Sequence, residues 1–164
     1  MTEDTAATTA VPGRRDARAA QADRDTTQDH VQVCMPAEGA YLSVLRTATA
    51  GLAARLDFTL DEIEDLRIAV DEACAMLLAQ AIPGTNLECA FDLSAEEMTI
   101  TVSVIAAEPR IPARDTFAWT VLSALAGTVD SKLGPDDQVS IVLRKHRETP
   151  QSGLRSGASG TRSG

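Results

Sequence analysis

Apolar residues recur at intervals of three and four along Tyr41, Leu42, Leu45, Ala48, Thr49, Leu52 and Leu56, a period that predicts a first amphipathic helix. A second helical period begins after Thr59, through Leu60, Ile63, Leu66, Val70, Ala73 and Leu77, and runs to about Ala81 before Pro83-Gly84 stops it. Thr59 offers a hydroxyl N-cap, and Glu62 three residues on completes a capping box. Elsewhere the period falls to two. Val31 to Met35 is a short β-like run closed by Pro36, and Leu87 to Leu93 and Met98 to Ile105 alternate around Ser94–Glu97 as a hairpin. Thr116 caps a third helix through Phe117, Val121, Leu122 and Leu125, Gly127 ends it, and Val139 to Arg144 forms a last strand. The order β, α, α, β, β, α, β predicts an α+β two-layer sandwich. About three helices cover one face of a mostly antiparallel mixed sheet of four to five strands.

The second helix carries an anomaly. Stepping 100° per residue from Val70, the stripe of Ile63, Leu66, Val70, Ala73 and Leu77 falls within about 60° of one direction. From Ile68 to Ile82 the chain is apolar on nearly every face except at Asp71, Glu72 and Gln80, so the helix is expected to be covered on more than one side. A carboxylate in the middle of such a helix needs a partner, a pocket or water, since burial without one costs several kcal/mol. Asp71 and Glu72 therefore mark either a site or an ion pair with Arg67 or Arg46.

Composition confines the fold to the middle of the chain. Residues 1 to 29, rich in Thr, Ala, Asp and Arg, and residues 146 to 164, mostly Gly, Ser and Arg, have no hydrophobic period and are expected to form a disordered arm and tail around one domain at 30–145. The longest nearly apolar run, Ala73 to Ala79, is far short of the roughly 20 residues that span a bilayer, and no export signal is visible. A cytoplasmic protein is the expectation. Of the net charge of −9, residues 30 to 145 account for the whole, with 17 acids and 8 bases. Such a field disfavours a nucleic-acid partner and favours a basic protein, although solubility alone also explains an acidic surface. Cys34, Cys74 and Cys89 are odd in number, lack any Cys-x-x-Cys spacing and read as buried thiols.

Other chemistries find no residues. His30 and His146 lie at the edges of the folded part, which leaves no histidine for a triad or metal cluster in the core. Gly-x-Ser-x-Gly, P-loop and Gly-x-Gly-x-x-Gly motifs are missing from the chain. Trp119, the only tryptophan, sits at helical spacing with Leu122 and reads as core or interface packing.

The stretch from Leu56 to Cys74, LDFTLDEIEDLRIAVDEAC, resembles the end of the first helix and the ATP-site helix of the RsbW/SpoIIAB-type anti-sigma factors. These are serine kinases on the GHKL (histidine-kinase-like) ATPase fold. The resemblance covers about Val31 to Arg144 in element order and Arg46 to Cys74 in motif. In that family the helix carries Glu-x-x-x-Asn, the carboxylate acting as base and the amide holding the magnesium of ATP. Glu72 matches the base; Met76 stands where the asparagine belongs, and a thioether does not ligate a hard cation. The family also uses glycine-rich turns where bare backbone approaches adenine and phosphates, whereas this chain has no glycine between Thr85 and Ala126.

The resemblance accordingly implies an anti-sigma factor that sequesters an alternative sigma factor, is released by an anti-anti-sigma antagonist, forms a homodimer and has lost kinase activity. No cofactor or metal is expected, ATP and magnesium being needed only if the nucleotide site is retained. Glu72 is then a vestigial base, and Arg46, aligned with a sigma-contacting arginine of the family, is the partner-binding residue. The alternative enzyme is an active serine/threonine kinase with Glu72 as base, phosphorylating an anti-anti-sigma factor. A third possibility is an adaptor or dimerisation module without a sigma target.

Overall fold

The computed structural model describes residues 29–148; the rest of the expected arm and tail lies outside them, while Asp29 and His146, expected in arm and tail, belong to the first and last strands because both pair within the sheet. Strand β1 (Asp29–Pro36) leads through a 3-10 turn at Gly39–Tyr41 into helix α1 (Leu42–Arg55) and then helix α2 (Leu60–Leu78). The hairpin β2 (Asn86–Leu93) and β3 (Glu97–Ile105) follows, then helix α3 (Phe117–Ala126), β4 (Thr128–Leu133) and β5 (Gln138–His146). The five strands lie in the order β1-β2-β3-β5-β4, and every pairing is antiparallel. The sheet is therefore not mixed.

Register explains the layering. Val31 sits opposite Phe91, Phe91 opposite Ile100, Ile100 opposite Leu143 and Leu143 opposite Val129, so one row of side chains crosses the whole sheet on the helix side. Phe91, Ile100 and Leu143 are fully buried there, as are Leu45 of α1, Leu66, Val70 and Leu77 of α2 and Leu122 of α3. Truncating one such leucine to alanine costs about 2–5 kcal/mol. On the opposite face Ser103 and Ser140 are cross-strand partners, buried with their hydroxyls 2.9 Å apart.

Helix boundaries follow local chemistry. The Thr59–Glu62 capping box forms as expected, with the Thr59 N–H donating to Glu62 Oε2 at 2.6 Å and the Glu62 N–H donating to Thr59 Oγ1 at 3.3 Å. Glu62 is buried, and its second oxygen accepts the Glu148 N–H at 2.7 Å, which ties the residues just after β5 to the start of α2. Gly127 ends α3 with φ of 79°, and a Cβ there would meet the Arg144 carbonyl at 3.2 Å.

Three expectations need correction. Strand β4 was not in the predicted order, because Thr-Val-Asp-Ser-Lys-Leu puts Ser131 at the buried centre of the alternation and so hides the period of two. Cys34 is exposed, since β1 is an edge strand and Cys34 falls on its helix-free face opposite Glu88, whereas Cys74 and Cys89 are buried. Helix α2 ends at Leu78 rather than near Ala81, although α1, α3 and the sheet do cover it on more than one side and leave Ile68 half exposed between the flanking helices.

Candidate functional site

Helix α2 lies between α1 and α3 and carries Arg67, Asp71, Glu72 and Met76. The short Leu56–Thr59 connection makes α1 and α2 an antiparallel pair, so Arg46 near the start of α1 meets Asp71 in the second half of α2. Arg46 Nε donates to Asp71 Oδ2, and both side chains remain partly exposed. The choice left open by the sequence thus resolves to Asp71 with Arg46, while Arg67 pairs with Glu64 one turn away. Asp71 Oδ1, Arg67 Nε and Thr49 Oγ1 are buried with no hydrogen-bond partner. Thr49 is one turn beyond Arg46 and Arg67 one turn before Asp71, which makes the α1–α2 seam polar in the middle of an apolar layer.

Glu72 and Met76 occupy the adjoining side of α2, one turn apart. Glu72 is half-buried and has no side-chain hydrogen bond or ion pair among the described residues. Met76 lines a cleft of about 440 Å³ with Ala79, Gln80, Arg110–Ala113, Thr116 and Ala118, and Glu72 stands outside that lining.

Gln80 lines the cleft and bonds to its wall. Its Nε2 donates to the Arg110 carbonyl at 3.3 Å and its Oε1 accepts the Arg110 N–H at 3.1 Å. One amide thereby grips both polar groups of one backbone residue and straps the segment around Pro109 and Pro112 to the end of α2. The signal available in the sequence was only that Gln80 interrupts an apolar run; its partner is 30 residues away.

The donor set does not fit magnesium and a triphosphate. Magnesium demands oxygen ligands in near-octahedral array, and the cleft offers the Met76 thioether, aliphatic side chains, the Arg110 guanidinium, which is paired with Glu108, and two further polar groups already engaged. Gln80 holds Arg110, and the Thr116 hydroxyl donates to the Ala113 carbonyl at 3.1 Å while accepting the Trp119 N–H at 3.2 Å. That hydroxyl caps α3, where a phosphate would otherwise find free N–H groups. No group of three His, Cys, Asp or Glu among the described residues is placed to hold a metal ion. Trp119 is buried, with the Arg114 guanidinium 5.2 Å above its ring.

No helix among the described residues is long and apolar enough to cross a membrane. No protein-family profile matches the chain. It is 33% identical over 90 residues to the anti-sigma-F factor RsbW of Mycobacterium tuberculosis, an alignment covering 55% of this chain and 54% of that protein. To the serine-protein kinase RsbW of Bacillus velezensis it is 39% identical over 61 residues, 37% of this chain and 38% of that one. To the Bacillus cereus kinase of the same name it is 28% identical over 126 residues, 77% and 68% of the two chains. The chain thus spans about half the length of the first curated relatives it matches. A crystal structure of the RsbU and RsbW domains of a Mycobacterium tuberculosis protein superposes with a TM-score of 0.59 at 12% identity, over 74% of this chain and 33% of that one. The chain is thus similar in sequence to RsbW anti-sigma factors and serine-protein kinases over part of their length and shares the α+β fold of an RsbW domain.

Proposed function

We propose that this domain is a cytoplasmic, homodimeric anti-sigma factor that sequesters an alternative sigma factor and yields it to an anti-anti-sigma protein, without phosphorylating that antagonist. The observation that carries the loss of kinase activity is the cleft at Met76: it offers no carboxylate to hold magnesium, and its polar side chains, Gln80, Arg110 and Thr116, are already bonded within the protein. Phosphoryl transfer relies on charge neutralisation by metal and donors around the γ-phosphate. Glu72, although in the family position for the base, has no such assembly beside it.

Arg46 supports the binding half of the reading. Its guanidinium is kept on the α1–α2 face by Asp71, yet enough of the side chain is exposed to fork onto a partner carboxylate. The acids around it steer basic segments of a sigma factor toward that face.

Incubation with labelled ATP, magnesium and the cognate anti-anti-sigma protein is the test. The expected result is capture of the sigma factor with no labelled serine; robust transfer onto a serine overturns the proposal and makes the protein an active kinase. Sedimentation of the isolated chain checks the dimer.

A further inference from the structure

We infer that the sheet edge at β4 is a docking site for an acidic, extended segment of a partner protein, a second surface independent of the Arg46 face. Residues 29–148 carry 19 acids against nine lysines and arginines. Three of those nine, Arg114, Lys132 and Arg144, line one concavity of about 380 Å³ with Thr128, Val129, Asp130 and Val142. Register explains the convergence: Thr128 pairs with Arg144, Asp130 with Val142 and Lys132 with Ser140, so these side chains share the helix-free face of the sheet. Arg114 reaches the same place from the segment before α3.

The three cations differ in how far they are satisfied. Arg114 is bonded to Asp130 Oδ1 and lies over the Trp119 ring, which fixes its guanidinium at the rim. Arg144 reaches Glu97 only at 3.4 Å, and the other oxygen of Glu97 is taken by His146 at 2.8 Å. Lys132 has no carboxylate within ion-pair range among the described residues. A lone lysine on an edge strand serves to repel unwanted strand pairing; two further cations around a concave wall make a receptor for negative charge. Asp130 is the one acid in the wall; the Ser131 N–H and Arg114 hold its carboxyl below the usual range, so it stays ionised and its charge is offset by Arg114.

Recognition runs through side chains. Asp130 Oδ1 accepts the Ser131 N–H at 2.8 Å, so a strand added to this edge would first have to displace that bond. Lys132 and Arg144 instead remain to take carboxylates of a segment laid across β4 and β5, in an otherwise acidic domain that repels such a segment elsewhere. The site lies at the opposite edge of the sheet from β1, to which Arg55 of α1 is tied through Asp29 at 2.8 Å. One partner can therefore hold the Arg46 face while an acidic segment engages β4.

The test is an amide-shift titration of the ¹⁵N-labelled full chain with a capped twelve-residue peptide of alternating glutamate and threonine at low ionic strength. The expected result is shifts confined to Thr128–Leu133 and Val142–Arg144, weakened by added salt. Affinity should drop at least tenfold in K132E/R144E and by a smaller factor in K132Q, whose single neutralisation preserves the fold. Unmoved β4 amides, equal affinity of the charge-reversed variant, equal binding of a lysine–threonine peptide, or the same shifts from inorganic phosphate alone would each overturn the proposal. Sigma capture by K132E/R144E, measured in parallel and expected to be unchanged, separates failure here from failure of the anti-sigma reading.

Discussion

Arg46 on α1 and Asp71 on α2, 25 residues apart, form an ion pair across the seam of two antiparallel helices. Asp71 takes the Nε of that guanidinium, and Arg46 remains partly exposed. The pair is partly exposed, so solvent screening limits its worth to under about 1 kcal/mol. A double-mutant cycle of Arg46→Ala and Asp71→Asn should return a coupling in that range. Arg46→Ala should weaken sigma capture at moderate salt at least tenfold; unchanged capture in a titration removes Arg46 from the interface.

The Met76 cleft predicts that MgATP leaves thermal stability unchanged. A ligand at 100 times its dissociation constant would add about 2.7 kcal/mol, a shift readily seen by calorimetry. Met76→Asn should not restore binding, because Gln80 still grips Arg110 and Thr116 still caps α3. A nucleotide-dependent shift in the wild-type chain contradicts this.

Gln80→Ala should release the segment around Arg110 without disturbing the core. Two hydrogen bonds at an exposed position contribute about 0.5–1.5 kcal/mol each. Hydrogen exchange should quicken at Arg110 and its neighbours and stay slow in β2 and β3.

Glu62 predicts an acid-sensitive joint. Burial alone would raise its carboxyl, but hydrogen bonds from the Glu148 N–H and from the Thr59 N–H and hydroxyl outweigh burial and hold it below the usual range. A carboxyl lowered on folding stabilises the native state fully above its unfolded value of about 4.3, and that stabilisation fades as pH falls through the lower folded value. Glu62→Gln should cost about 1–2 kcal/mol at neutral pH, from the weakened cap and the Glu148 N–H. It should also flatten the loss of stability below about pH 4 seen in chemical denaturation.

The thiols should separate by accessibility. Burial pushes the Cys74 thiol up to about 12 and raises Cys89 as well, while Cys34 faces solvent. A maleimide at neutral pH should modify Cys34 in the native protein and reach the other two only on unfolding, as mass spectrometry of the labelled chain would report.

Local pattern carried far because its causes are local. The period of α2, its capping box at Thr59 and Glu62, the β2–β3 hairpin and the Gly127 stop each depend on residues within one or two turns of one another, and all are legible without coordinates. Likewise the unsuitability of Met76 for magnesium is a property of its sulfur. What required the tertiary structure were relationships fixed by packing over long separations: Asp71 choosing Arg46 over Arg67, Gln80 finding the backbone of Arg110, and Arg114 joining Lys132 and Arg144 at one edge. Strand β4 and the exposure of Cys34 belong to the same group, since an edge strand has a neighbour on one side only and its weak alternation leaves burial to the sheet order. Periodicity determines which face of an element is apolar; only the packed layers decide which polar side chains then meet.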